Sequence, residues 1–454
     1  MIRKFLCASM LLIAMGTTAT MFAAEPLKIA VRQGSEWKEL DTWTVAHAAG
    51  FQPRTEPAKL SVYGGDPSRK VEATGFFRTQ KIGERWWLVD PEGNLFITVA
   101  LGCVYPAHNT PKSEAAFEAK FGSDEKWAEQ TVALMLENGF NGSGAWSKNA
   151  LLAKVPKRIA YCPIWDFKKS YKGGKRPFLF DPEFETFAME HAKQLAATKD
   201  DPWLLGHFSD NELEFSKKNS RVLEECLGQP KEDYRYEAAW KWLQARKGEQ
   251  ADPNAIARED QEAFAAFADE WYFAVVSKAI KTHDPNHLYL GCRFFSDNQG
   301  SANLFRAAGK YADVVSLNLY GTWTPDDKKM ANWAGWSGKP YIISEFYARG
   351  EDSGLPNTTG AGWTVKTQKD RGLYYQNLCL GLLESKGCVG FHNFRYQDND
   401  PDDKKVDPSN RTSNKGIVTA YFDEYPEYLK PIKELNLNVY DLIDWMDKGG
   451  RVHP

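Results

Sequence analysis

The chain has 454 residues, 43% of them hydrophobic and 26% charged, with a formal net charge of −3. That length suits one large α/β unit with additions, and the near-neutral charge balance excludes a protein built to neutralise nucleic-acid phosphates. Aromatic residues reach 13%, with 16 Trp; such rings either pack a core or stack on the apolar faces of sugars.

The opening residues, MIRKFLCASMLLIAMGTTATMFAAEP, have the three-part layout of an export signal. Arg3 and Lys4 come first, an apolar run extends from Phe5 to about Met15, and small residues precede Ala23 and Ala24. Residues 1–24 are therefore expected to be a signal peptide, and the protein to be periplasmic or extracellular. Met21 and Phe22 are large for a cleavage site, so an uncleaved anchor is the alternative. No later run of about twenty apolar residues follows, so no stable membrane span is expected after signal removal.

Residues 25–80 mix short alternating runs with turn signals such as YGGDPSRK, and are expected to form an N-terminal lead-in or small β element. From 81 to 454 a rhythm sets in. WWLVDPEGNLFITVALGCVYP reads as a hairpin, turning at Pro-Glu-Gly-Asn, that feeds a buried strand. Helical stretches follow at DEKWAEQTVALMLENGF and DPEFETFAMEHAKQLAATKD, then in a long charged region over about 214–283. One or two helices close the chain in EYPEYLKPIKELNLNVYDLIDWM. Strand-like runs fall near 95–104, 139–146, 158–165, 203–210, 288–295, 313–320, 340–346 and 387–395. Eight short apolar strands alternating with helices predict a (β/α)8 TIM barrel with a short N-terminal extension. The rival, a doubly wound sheet, would present a Gly-rich phosphate turn after its first strand, and this chain has none. A polar loop over 397–416 follows the last strand; long loops inside compact domains are often functional.

Beyond Cys7 in the leader, six cysteines (103, 162, 226, 292, 379 and 388) are present, most of them in apolar runs. They lack CxxC or His–Cys metal spacing, so they read as small buried apolar residues, with disulfide pairing left open.

In such a barrel the C-terminal strand ends form the active face. Two glutamates follow directly on apolar strands there: Glu212 after WLLGHF and Glu345 after YIIS. Strands four and seven stand three steps apart around an eight-strand ring, so their ends face each other across the mouth. Two carboxyls so placed can flank a glycosidic bond, one protonating the leaving oxygen and the other attacking or stabilising the sugar. Either glutamate alone is an ordinary polar strand end; the pair, with Asn211 beside Glu212, is what points to chemistry.

DPWLLGHFSDNE, YIISEF and GCVGFHNFRYQD resemble the corresponding segments of the clan A glycoside hydrolases, and within them the agarase-like group around glycoside hydrolase family 50. The resemblance covers about residues 85–445. It implies a retaining β-glycosidase acting on an agarose-like galactan polysaccharide or its oligosaccharides, without metal or organic cofactor. It implies Glu212 as acid/base, Glu345 as nucleophile, Asn211 as the partner of a sugar 2-hydroxyl, and Tyr320 as the residue orienting the nucleophile. It also implies a Trp on strand eight beneath the sugar, where this chain has Asn393; Phe394, Tyr396 or Trp363 would have to supply that surface. A barrel that binds carbohydrate without cleaving it, or a clan A enzyme for another β-glycan, are the alternatives.

Other residues carry narrower expectations. Arg293 at the mouth either contacts substrate or pairs with an acid. His392 is either a substrate contact or a structural partner, and His207 a hydrogen-bonded strand residue. Trp146, Trp165, Trp323 and Trp363 lie at strand ends or loops where rings can meet sugar, whereas Trp86 and Trp87 read as core.

Overall fold

The computed structural model describes residues 25–174, 178–215 and 221–454. The expected signal peptide lies outside the described residues. Among those residues no helix is long and apolar enough to cross a membrane.

The fold is mixed α/β. Eight short parallel strands sit at the eight places the sequence marks: β1 Thr98–Leu101, β2 Gly142–Ser143, β3 Ala160–Tyr161, β4 Gly206–His207, β5 Leu288–Tyr289, β6 Val315–Asn318, β7 Tyr341–Glu345 and β8 Cys388–Asn393. Six of them hydrogen-bond in the order β6-β7-β8-β1-β2-β3, and β4 pairs with β5. Isolated parallel bridges run between these groups, Tyr161 to Leu204 and Ile164 to Phe208 on one side, Phe294 to Leu317 on the other. Every residue of the eight strands is buried, as expected of parallel strands covered on both faces.

Helices alternate with these strands, among them Asp124–Glu137, Pro182–His191, Arg258–His283, Ala302–Tyr311, Asp327–Ser337 and Gln368–Glu384. Their starts follow local chemistry. Ser123 accepts from the Lys126 N–H, and Thr367 and Asp370 cap each other's backbone, satisfying N–H groups that a first turn leaves open. The 214–283 region is helical as expected, in Val222–Leu227, Tyr234–Lys247 and Arg258–His283.

The N-terminal segment is woven into the rest. Strands Leu27–Arg32 and Trp37–Thr42 pair with each other, and Val31 pairs with Val365 of Trp363–Val365 far along the chain. A second antiparallel sheet joins Asp66–Lys70, Arg78–Ile82, Arg85–Val89 and Asn94–Phe96. The boundary expected at residue 80 thus falls inside a strand. The hairpin read at Pro-Glu-Gly-Asn is present, with Leu88 opposite Phe96 and Val89 opposite Leu95. The closing helices, Pro426–Asn436 and Val439–Asp447, clasp this region: Asp447 takes a 2.7 Å bond from Arg85, and Asn438 accepts from the Arg54 N–H at 2.8 Å. The six described cysteines are buried free thiols.

Candidate active site

Backbone geometry around the C-terminal strand ends is unusual. Cys103, Trp146, Asp166, Glu212 and Arg293, which follow β1 to β5 in turn, all have φ between 52° and 57°. Non-glycine residues rarely adopt this left-handed conformation, and where they do it tends to mark a site whose side-chain directions are over-determined. The rim is tied together by backbone bonds: the Glu212 N–H reaches the Arg293 carbonyl at 3.3 Å and the Leu319 N–H reaches that of Glu345 at 2.7 Å.

β6 and β7 carry a bulge here. Leu317 pairs with Ile343, but the next residue, Asn318, pairs with Glu345, so Ser344 is the extra residue. A bulge re-aims the side chains beyond it. Ser344 Oγ–H donates to Asn318 Oδ1 at 2.8 Å, and Asn318 Nδ2 donates to Glu212 Oε1 at 2.8 Å and Asn211 Oδ1 at 3.0 Å. One amide therefore links the end of β7 to Asn211 and Glu212 beyond β4. With Asn211 Oδ1 occupied, its NH2 is what that residue has left to offer a ligand.

The two glutamates sit in different surroundings. Arg293 Nη2 donates to Glu345 Oε1 at 2.6 Å, and the Tyr320 hydroxyl donates to Glu345 Oε2. Both donors leave the carboxyl fixed in place on the cleft wall. Glu212 has no cation on it. Burial pushes its carboxyl above the usual range and the neighbouring Glu345 charge pushes it further, while Asn318 and, more weakly, Arg293 pull it back. Burial, then the Glu345 charge, holds the Tyr320 hydroxyl well above its usual range, so it stays a donor. A carboxyl clamped by a guanidinium and a phenol, beside one biased toward its protonated form, is an arrangement that can divide acid and nucleophile work between two carboxyls.

Glu212, Glu345, Asn211, Tyr320 and Trp146 line one open cleft of about 870 Å³, together with Tyr105, Tyr347, Phe394, Arg395 and residues 399–410 of the loop after β8. A second hollow of about 700 Å³ adjoins it, sharing Trp146, Lys169, Asn211 and Glu212 and reaching Phe178 and Glu214. Glu212 thus stands between two hollows.

Other residues from the sequence reading lie elsewhere. Arg293 is fully buried beneath the cleft on Glu345, its guanidinium 4.4 Å from the Trp146 ring. His392 is buried in the strand interior, Nε2 3.2 Å from Thr98 Oγ1; burial and the Arg293 charge pull it down to about 3, so it is neutral. Trp363 is buried against Trp323, with Lys38 5.1 Å from its ring, away from the cleft wall. Trp165 donates to His207, and the Trp323 indole bonds Thr42 Oγ1 at 3.0 Å, so Trp146 alone of the four expected tryptophans lines this cleft. Trp87 is buried as expected, and Trp86 is half-buried. Asn393 turns its Nδ2 to the Tyr428 hydroxyl at 2.7 Å, and Phe394 presents the ring. Sequence reasoning noted Asn318 as a polar end of β6 without giving it a role, and left out Tyr347.

His207, Asp284 and His287 form a buried cluster of metal-ligating types. Its nitrogens are engaged, however. The Trp165 indole donates to His207 Nδ1 at 2.9 Å, so His207 Nε2 carries the proton given to Asp284 at 2.7 Å. His287 spans Asp284 at 2.8 Å and the Asp201 carbonyl at 2.9 Å. Hydrogen bonding accounts for the cluster.

No protein-family model matches the chain. It is 25% identical to β-agarase B of Vibrio sp. (strain JT0107) over 90% of its length and 54% of that protein. It is 25% identical to β-agarase A of the same strain over 87% of its length and 51% of that protein. The chain therefore spans about half the length of these curated relatives. Among solved structures, it resembles BpGH50 with a TM-score of 0.81 and 29% identity, covering 93% of this chain and 96% of that one. It resembles an exo-β-agarase with a TM-score of 0.74 and 25% identity, covering 88% and 69%.

Proposed function

We propose that this protein is an exported retaining glycoside hydrolase that cleaves β-glycosidic bonds in an agarose-like galactan or its oligosaccharides. In this reading the eight strands close into a (β/α)8 barrel of the clan A type, and the bridges from Tyr161, Ile164 and Phe294 support that closure. The observation that carries the reaction is the unequal pair. Glu345 is clamped by Arg293 and Tyr320, whereas Glu212 is half-buried beside it with its carboxyl raised. Glu345 attacks the anomeric carbon as Glu212 protonates the departing oxygen; Glu212, now a carboxylate, then deprotonates the water that releases the sugar from Glu345. Asn211 holds the 2-hydroxyl, and Phe394 and Trp146 supply ring surfaces for the sugar. Similarity to proteins named as β-agarases supports the galactan class.

The test is to incubate purified protein with agarose oligosaccharides and follow the anomeric configuration of the first product by NMR. Retention is expected; an inverted product overturns the nucleophile assignment. Glu212→Gln and Glu345→Gln should each lower kcat by at least about 100-fold with the fold intact. Near-normal turnover by either variant overturns the pair.

A further inference from the structure

Two buried basic side chains, Arg395 in the cleft lining and Lys415 behind it, have no carboxylate on them among the described residues. Arg395, directly after Phe394, is 5% exposed and lines the cleft. Its Nη1 donates to Asn399 Oδ1 at 3.0 Å, while Nε and Nη2 have no hydrogen-bond partner. Its guanidinium lies 4.8 Å from the Tyr105 ring. Lys415 is 0% exposed; its Nζ makes one long contact, 3.4 Å to the carbonyl of the cleft residue Asn410, and stands 5.3 Å from the Phe394 ring. The two residues are brought together by the backbone, since the Arg395 N–H donates to the Lys415 carbonyl at 3.0 Å.

Burying one unpaired charge is costly, and burying two of like sign side by side is more so. Burial and then the Arg395 charge pull the Lys415 amine down to about 7. Nearby acids are already engaged. Asp398 accepts from the N–H groups of Lys415 and Gly416, the Asn414 amide and the Tyr425 hydroxyl. Asp403 takes Asn109 and the Lys405 N–H, and Asp407 caps its own loop. Glu345 is held by Arg293 and Tyr320.

We propose that Arg395 and Lys415 form an anion-recognition site, and that the preferred substrate is a galactan bearing an acidic substituent, a sulfate ester or a carboxylate, rather than a neutral one. A planar guanidinium with unpartnered N–H groups suits either oxyanion. The bound anion would supply the counter-charge that the protein itself leaves out. The proposal rests on the glycosidase reading above and narrows its substrate.

The experiment compares kcat/KM for neutral agarose oligosaccharides, sulfated galactan oligosaccharides and uronate-bearing galactan oligosaccharides of equal length. At least one acidic class should be favoured over the neutral one by about tenfold or more, and which one identifies the substituent. Arg395→Gln and Lys415→Met should each shrink that acidic-to-neutral ratio about tenfold, with Arg395→Lys restoring part of it. Equal or better cleavage of neutral oligosaccharide, or variants that lower both classes alike, overturns the proposal while leaving the glycosidase reading standing. If no galactan is cleaved, the glycosidase reading fails instead. Calorimetric titration of Glu345→Gln with the same three oligosaccharides then decides, since binding that does not favour an acidic one overturns the anion site. That titration also serves if the Arg395 or Lys415 variants fail to fold.

Discussion

Arg293 donates to Glu345 from a fully buried position, and it does so with one nitrogen only: Nη2 meets Oε1 at 2.6 Å while Nε and Nη1 find no acceptor. Aromatic faces stand where acceptors would, Trp146 at 4.4 Å and Phe208 at 5.5 Å from the guanidinium carbon. A cation over two rings is partly stabilised without being neutralised, so its charge remains directed at the carboxylate. Removing it strands Glu345. Arg293→Met should lower stability by about 3 kcal/mol, as when one member of a buried pair is deleted, and lower kcat by about 100-fold or more. Arg293→Lys keeps the charge but loses the flat group that fits between the rings, and should recover only part of both. Chemical denaturation and steady-state kinetics on the three proteins check this; a fully active Arg293→Met would contradict the role given to the pair.

Asn318 works on the other carboxyl. Its donation to Glu212 stabilises the charged form, against burial and the Glu345 charge that raise it. Taking away that donor lets Glu212 rise further. In a reaction where Glu212 must begin protonated, the alkaline limb of the kcat/KM profile reports its ionisation. Asn318→Ala should move that limb to higher pH while reducing kcat/KM, because Asn211 loses its partner too. An alkaline limb that stays put or moves down would show that the amide does not tune the acid.

The strand sites and both glutamates were legible in the sequence because apolar runs ending in polar residues are a local signal. The pairing of Val31 with Val365 was not, since strands Leu27–Arg32 and Trp363–Val365 carry nothing in their own residues that names a partner so far away. The bulge at Asn318 and Ser344 was equally hidden: it is a property of two strands in register, not of either one. For the aromatic surface after β8 the sequence left three candidates, Phe394, Tyr396 and Trp363, of which Phe394 lines the cleft. Alternation decides it, because successive side chains point to opposite sides, and Asn393 faces Tyr428 where Phe394 faces the cleft. The cluster at His207 could be read as hydrogen-bonded from its place inside a strand, but Asp284 and His287 joined it only through the fold.

Asp210 sits two residues before Glu212, buried, with the Tyr272 hydroxyl donating to Oδ2 at 2.6 Å and the Lys168 N–H donating to Oδ1 at 2.9 Å. Burial outweighs both donors and pushes its carboxyl up to about 7. The folded value is therefore raised above that of the unfolded chain. Below about pH 4 both states are protonated. Between there and about pH 7 the unfolded chain loses its proton first and binds fewer, so stability falls as pH rises through that window. Above it the loss is complete. Asp210→Asn removes the titration, and its denaturation midpoint should be flatter from pH 4 to 7 than that of the wild type. A variant with the same slope as wild type would locate the pH dependence elsewhere.

Phe394 and Asn393 separate binding from folding at adjacent positions. Phe394 lines the cleft, near Tyr347 at 6.0 Å between centroids, and its ring closes the floor that Gly102 leaves open: a Cβ on that glycine would meet Phe394 at 3.3 Å. Asn393 is wholly buried, holding Tyr428 from the far side of β8. Phe394→Ala removes a ring on which a sugar can stack, and should lower kcat/KM about tenfold or more, mainly through KM. Asn393→Ala leaves the Tyr428 hydroxyl without its partner in a dry site and should lower stability by about 1–3 kcal/mol, with kcat/KM changing far less. Phe394→Tyr, which keeps the ring, should retain most of the affinity that Phe394→Ala loses. If Asn393→Ala instead gave the larger kinetic defect and Phe394→Ala the smaller, the sugar surface would belong to position 393 and the orientation drawn here for the end of β8 would be wrong.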